Sequence, residues 1–215
     1  EALAGDVEIR EVFATPDDGA AADLCATAGL EITAVSPTVL SSLAGSVSPR
    51  GPVAVIATPP SAELDRVDTV VLWNISDPGN AGTIIRTAAA LGFQVAVTGG
   101  SVDVWAPKVV RSAVGGHFRT RLVTDLDTDI ATLISGGLVP LVASADATDP
   151  AETSLGRVDP VALIVGNETH GVPTEIAGEP EVSSVSLAMP GGSESLNASV
   201  AAGISMYMRI HQPCI

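Results

Sequence analysis

At 215 residues, with 46% hydrophobic and only 16% charged side chains, the chain has enough apolar surface for one large folded domain or a domain plus a smaller unit. A formal net charge of −15 argues against broad electrostatic affinity for nucleic acid. No apolar run reaches the roughly 18 residues that a membrane helix needs, and no basic-then-apolar segment opens the chain, so the expectation is a soluble cytoplasmic protein with no membrane partner.

Residues 1–58 read as a small αβ unit. A strand is expected near Val7–Phe13, then a helix at Gly19–Ala28 preceded by the acids Asp17 and Asp18, which favour a helix N-terminus. Glu31–Val35 alternates like a strand. Ser36-Pro37 supplies an N-cap and an N1 proline for a helix over Thr38–Ala44, and Val53–Ala57 is a buried-strand run. The unit reads as incomplete, with further residues expected upstream to cover the second face of its sheet. Residues 59–66, around Thr58-Pro59-Pro60-Ser61, read as a linker.

From residue 67 to 215 the pattern alternates strand and helix. Strands are expected at Val67–Trp73, Phe93–Thr98, Leu138–Ala143, Val161–Val165 and Val185–Leu187. Helices are expected at Ala81–Leu91, Pro107–Val114, Asp129–Ser135 and from Ser195 to about Arg209. Strands that are apolar throughout suit a mostly parallel sheet with helices on both faces, an α/β domain.

Three polar loops follow apolar strands, and in a parallel sheet such loops converge on one edge, where ligands bind. The first runs from Asn74 to Ala88, the second is Gly166-Asn167-Glu168-Thr169-His170-Gly171, and the third leads from Met189 through Gly191-Gly192 to Ser199. Together they offer Asn74, Arg86, Glu168, Ser195 and Asn197. Arg86 is a permanent five-donor fork suited to phosphate or carboxylate, and Glu168 could neutralise it, orient it or face a cationic ligand. Gly166, Gly191 and Gly192 allow close backbone approach to a bound molecule. Ser195 can equally be only the N-cap of the last helix, Asn74 only a turn residue, and Arg86 with Glu168 only a structural ion pair.

Of ten cationic residues, Lys108, Arg111, Arg119 and Arg121 cluster within fourteen positions of an otherwise acidic chain. The cluster reads either as a solvated face or as a local phosphate-binding patch. Cys25 and Cys214 stand far apart, and no Cys/His spacing predicts a metal or a disulfide framework. The chain has no GxGxxG, Walker A or GxSxG segment, which removes the main support for a dehydrogenase or a serine hydrolase.

The three loops, in order and spacing, resemble the three motifs of the SpoU/TrmH family of RNA 2′-O-ribose methyltransferases in the SPOUT superfamily. Asn74–Ala88 is similar to the first motif, Leu163–Gly171 to the second and Leu187–Ser199 to the third; Pro107–Arg111 and Gly115 also fit the pattern. Two positions depart from it. Leu187-Ala188-Met189 stands where the family usually has Ile-Pro-Met, and Ala113 stands where it has serine. Residues 1–58 look like the back half of the L30e-like RNA-binding domain that often precedes this catalytic domain.

The resemblance implies a C-terminal trefoil knot holding S-adenosylmethionine, with cofactor contacts at Ala143 and the loop after it, and at Gly166, Leu187, Met189 and Leu196. It implies methyl transfer to a ribose 2′-OH of RNA, ribosomal rather than transfer RNA. Arg86 would stand at the chemistry, Asn74, Glu168, Ser195 and Asn197 would orient the reactants, and Lys108, Arg111, Arg119 and Arg121 would contact the RNA backbone. No metal is implied. A homodimer is implied through the last helix, where Leu196, Val200, Gly203, Ile204 and Tyr207 form an apolar stripe, although burial within one subunit would explain the stripe equally well. Two alternatives stay open: a non-catalytic RNA-binding protein of the same fold, and a base methyltransferase of the same superfamily.

Overall fold

The computed structural model describes residues 3, 5, 7–46, 49, 51–127, 129–144, 147, 149–150, 155–156 and 159–211. It divides into two compact units, Glu1–Pro60 and Ser61–Ile215. No helix among the described residues is long and apolar enough to cross a membrane.

In the first unit, β1 (Ile9–Ala14) lies between β2 (Ile32–Ala34), to which it is parallel, and β3 (Val53–Ile56), to which it is antiparallel. Helix α1 (Gly19–Ala28) begins where Asp18 accepts a hydrogen bond from the Ala21 N–H at 3.0 Å, so the acid expected there acts as a true cap. Helix α2 (Pro37–Ala44) starts on the expected Ser36 cap and N1 proline. Both helices end on a left-handed glycine, Gly29 and Gly45. Val12, Ala14, Ala21, Cys25 and Leu40 are buried; Cys25 is a free thiol, and Cys214 lies outside the described residues.

The second unit holds a seven-stranded sheet: β4 (Thr69–Leu72), β5 (Gln94–Thr98), β6 (Leu122–Leu126), β7 (Val139–Ala143), β8 (Asp149–Pro150), β9 (Val161–Val165) and β10 (Ser183–Ser186), in spatial order β6-β5-β4-β9-β7-β10-β8. Every strand pair in it is parallel. The central strands β4, β5 and β9 are buried along their whole length, which is why they read as unbroken apolar runs.

Alternate residues of each strand supply opposite faces. Val70, Leu72, Val95 and Leu163 face a core shared with α3 (Pro78–Leu91), α4 (Pro107–Ala113) and the last helix, α7 (Ala198–His211). Val71, Trp73, Ala96 and Ile164 face a second core with α5 (Ile130–Ser135) and the short α6 (Thr174–Ala177). The expected α/β architecture with helices on both faces is what the structure has.

Strand β6 is absent from the sequence reading. Its Leu-Val-Thr-Asp-Leu run merges into the acids Asp125, Asp127 and Asp129, and as an outermost strand it is only partly buried. Helix α3 starts at Pro78, three residues ahead of the expected Ala81, because Asp77 caps it by accepting from the Asn80 N–H at 2.8 Å. Helix α7 starts at Ala198, past the expected Ser195. Strand β10 lies two residues earlier than the expected Val185 start.

Candidate active site

All strands of the sheet run the same way, so the segments after β4, β9, β7 and β10 leave side by side at one edge. The first and second polar loops are immediate neighbours because β4 and β9 pair. The segment after β7 begins at Ser144, whose N–H donates to Val185 O at 3.0 Å; residues 145, 146 and 148 of that expected cofactor loop lie outside the described residues.

Asn74 ends β4 in the left-handed conformation, φ 54°. Its N–H donates to Thr98 Oγ1 at 3.2 Å and its carbonyl accepts from Asn167 Nδ2 at 2.9 Å. Its side chain lies over Gly100, where a Cβ would come within 2.7 Å of Asn74 Oδ1. The turn reading of Asn74 is therefore the one its contacts support. Asn167 continues the bracing: its Oδ1 accepts from the N–H groups of Thr169 and His170, and its backbone pairs both ways with Gly171. Gly166 is needed for that turn, since a Cβ there would run into the backbone of Gly171 and Val172. The close approach at Gly166 is thus made by the chain itself.

Asn80 is the residue that joins the three loops, and the sequence reading did not select it. In the first turn of α3 it is buried; its Nδ2 donates to Glu168 Oε1 at 2.9 Å and its Oδ1 accepts from Asn197 Nδ2 at 2.9 Å. The only signal for it in sequence was its place two residues after Pro78, where a helix-capping Asp77 three residues before it could have announced an earlier helix start.

Glu168 takes further hydrogen bonds from Ser76 Oγ (3.1 Å), Ser76 N–H (3.4 Å) and Asp77 N–H (3.3 Å). Partial burial works to raise its pKa, but the donors from Asn80, its own backbone, Ser76 and Asp77 outweigh burial and hold the carboxyl below its ordinary value. Glu168 and Arg86 form no ion pair.

Asn197 caps α7, its Oδ1 accepting from Ser199 N–H (2.9 Å), Ser199 Oγ (2.7 Å) and Val200 N–H (3.4 Å). The capping role considered for Ser195 belongs to Asn197. Ser195 itself is exposed, with its carbonyl accepting from Ser193 Oγ at 3.0 Å.

Arg86 is exposed on another face of α3, six residues and about 240° of helical rotation from Asn80. Its side chain makes no hydrogen bond or ion pair with the described residues. It lines a cavity of about 190 Å³ together with Val114 and Arg119, so one member of the basic cluster stands beside it. Lys108 and Arg111 are exposed on α4, while Arg121 pairs with Asp65 at 2.7 Å. Ala113 is buried in the core; Ser112, one residue earlier, donates to Pro78 O at 3.1 Å and ties α4 to the start of α3. Gly82 makes this approach possible, because a Cβ there would collide with Ser112 Oγ and reach within 2.6 Å of Val109 O.

Among the expected cofactor residues, Ala143 packs partly buried on the α3 side of the sheet, and Leu187 packs on a small core of Leu141, Leu155, Val161 and Val185. Met189 O accepts from Gly192 N–H at 3.0 Å in a turn where Gly192 has φ 73°, and Leu196 is exposed. No cluster of His, Cys, Asp or Glu among the described residues could hold a metal ion.

His117 is buried, its Nε2 2.7 Å from Val104 O, with its ring against Trp105. Burial lowers its pKa, which the Val104 carbonyl only partly offsets. It is a core histidine.

Residues 68–207 match the model of the SpoU rRNA Methylase family. The chain is 32% identical to the mitochondrial rRNA methyltransferase 3A of Danio rerio over 75% of its own length. It is 31% identical to the 23S rRNA (guanosine(2553)-2′-O)-methyltransferase RlmP of Bacillus subtilis over 96% of its length and 83% of that protein's. It spans about half the length of the first of these, 49%. Its fold superposes on the SpoU methyltransferase AviRb from Streptomyces viridochromogenes in complex with AdoMet, with a TM-score of 0.82 and 27% identity, covering 97% of this chain and 85% of that one. An AdoMet-bound rRNA methyltransferase from Sinorhizobium meliloti gives a TM-score of 0.83 at 25% identity, covering 97% and 82%.

Proposed function

The chain belongs to the SpoU rRNA methylase family, and from that premise we propose that it transfers a methyl group from S-adenosylmethionine to a ribose 2′-hydroxyl of ribosomal RNA. The observation that carries this reading is the chain of hydrogen bonds Glu168–Asn80–Asn197, which ties all three motif loops to one edge of the sheet while leaving Arg86 exposed and unpaired among the described residues. The relatives' names point to 2′-O transfer on 23S rRNA.

The residues present fit the cofactor. Ala143, Leu187, Met189 and Leu196 are apolar groups at the ends of β7 and β10 and at the start of α7, beside loop backbone that can pair with an adenine edge. Bound there, the sulfonium supplies an activated methyl group. The protein's part is to place the ribose and manage its proton. A ribose hydroxyl is a weak nucleophile at neutral pH. The Arg86 guanidinium offers donors and no acceptor; it positions the adjoining RNA phosphate and stabilises charge developing at the 2′-oxygen. Glu168 and Asn197, locked through Asn80, hold the loops that orient ribose and cofactor, and Ser195 stands exposed on the third loop. Asn74 contributes through its backbone turn. Lys108, Arg111, Arg119 and Arg121 are the RNA contacts in this reading, Arg121 with Asp65 beside it.

The same reading includes a homodimer through the exposed face of α7, a cytoplasmic location, an L30e-like role in RNA binding for the first unit, and a trefoil knot. The order of strands supports the knot: β9 enters between β4 and β7, and β10 between β7 and β8, after those neighbours have been laid down.

The test is Arg86→Ala. With labelled S-adenosylmethionine and total ribosomal RNA, methyl transfer is expected to fall at least ~100-fold while cofactor affinity, read by calorimetry, stays within about twofold. Transfer within a few-fold of the unsubstituted protein would remove Arg86 from the chemistry.

A further inference from the structure

Among the described residues, only Asn74 and Val114 have positive φ without being glycine. Asparagine tolerates that conformation, but a β-branched residue at φ 47° is an outlier that the left-handed backbone disfavours. Core packing does not explain the valine. Its side chain is 51% exposed, and glycine at this C-cap of α4 would remove the strain.

Strain of this kind persists where the surroundings over-determine it, and it gathers at ligand sites. Val114 forms part of the wall of the Arg86–Arg119 cavity, whose floor is Ala89 and Ala90 of α3. The turn that carries Val114 packs closely against the backbone of Arg86: a Cβ on Gly116 would lie 3.0 Å from Arg86 Cα and 3.1 Å from its N. Two arginines, small apolar side chains and one exposed, strained, branched side chain therefore line the same cavity.

Resting on the RNA methyltransferase reading, we propose that this cavity seats one nucleotide of the substrate RNA. Its phosphate lies between Arg86 and Arg119, and its sugar and base lie against Val114 and the alanine floor. The left-handed backbone is retained because it presents the valine to the nucleotide. Apolar contact to a base or sugar face is sequence-tolerant, so Val114 contributes grip rather than base identity.

The full chain tests this with Val114→Gly, Val114→Ile and Arg119→Gln, using protein-free total ribosomal RNA as the probe. Affinity is read by filter binding at fixed salt, and turnover by labelled S-adenosylmethionine. Val114→Gly is expected to keep or raise the melting temperature, since relief of the left-handed strain matches or exceeds the entropy that glycine adds to the unfolded chain. It should at the same time weaken RNA binding and raise KM about tenfold, with kcat and cofactor affinity within twofold. Val114→Ile should restore RNA binding, and Arg119→Gln should weaken it and flatten its salt dependence.

Unchanged RNA affinity in Val114→Gly overturns the proposal, and so does a melting temperature lowered by more than about 5 °C, which would make the valine a packing residue. If the unsubstituted protein binds RNA but methylates none, the enzymatic reading fails, while the affinity ratios still decide the nucleotide seat.

Discussion

Glu168 holds the second loop against the first with a carboxylate that accepts from two backbone N–H groups, a hydroxyl and an amide. Because the donors stabilise the ionised form, its folded pKa lies below its unfolded one, and the sign of the linkage follows. The stabilisation is complete above the ordinary glutamate range and is lost as pH falls through the depressed native value. Glu168→Gln keeps the size but turns an NH2 toward donors. It should cost about 1 kcal/mol at neutral pH, a modest figure because the group is largely exposed and screened. In thermal melts from neutral pH down into the acid range the gap between the two proteins should close, and a gap that stays constant with pH would show that the charge is not what matters. At this scale the sequence reading chose the right loops but took Asn74 into the site and passed over Asn80. Asn74 and Asn80 differ in role because one closes a strand in a left-handed turn and the other lies inside the first turn of a helix, and residue type carries no information about that. For Arg86 and Glu168, likewise, charge alone left a structural ion pair as one open reading. They are kept apart because Arg86 points off another face of α3.

The elements are held in register at the opposite edge of the sheet by Arg209. From the last turns of α7 its Nε donates to Asp68 Oδ2 at 2.9 Å, Nη1 to Leu155 O at 2.8 Å and Nη2 to Asp159 O at 3.0 Å, while Asp68 Oδ1 accepts from the Val161 N–H at 2.9 Å. The side chains of Arg209 and Asp68 are only 10% and 26% exposed, so solvent replaces little of what is lost if one partner goes. Arg209→Met should destabilise the protein by about 3 kcal/mol, because it strands Asp68 and two carbonyls, and adding Asp68→Asn should recover part of that loss. Denaturant midpoints would measure both, and a single-variant loss below about 1 kcal/mol would show that α7 is held by its apolar face alone. Most elements were legible because their signals are local: Ser36-Pro37, the buried runs of β4 and β9, and the acids Asp17 and Asp18 ahead of α1. β6 was not legible, because an outer strand needs neither a continuous apolar run nor clean alternation. The start of α7 was misplaced by three residues because its cap, Asn197, follows a serine that could have served as well.

For the whole molecule, the apolar stripe of α7 turns outward. Leu196, Val200, Ile204, Tyr207 and Ile210 are 38–55% exposed, whereas Ser199, Ala202, Ser205 and Met206 face the molecule's own core and Gly203 turns toward Thr87 of α3. Burial within one subunit, which the sequence left open, is therefore not what the stripe is for. A second copy of the same face is the occupant that the proposed homodimer supplies, and its energetics can be argued from two terms. Covering these side chains on both copies gives a favourable apolar contribution. Bringing together two chains that each carry a net charge of −15 opposes it through a repulsion that salt screens over about 8–10 Å. The dimer should therefore tighten as salt rises, while RNA binding, which the proposed reading assigns to Arg86, Arg119 and their neighbours, should weaken over the same range. Sedimentation at micromolar protein is expected to give dimer for the unsubstituted chain, with a larger dimer fraction at 500 mM than at 50 mM salt, and monomer for Ile204→Glu. The same substitution should leave the melting temperature of the monomer nearly unchanged, because Ile204 packs on nothing in its own subunit that buries it. A monomeric unsubstituted chain at every salt concentration, or a dimer that Ile204→Glu does not touch, would move the stripe to some other role.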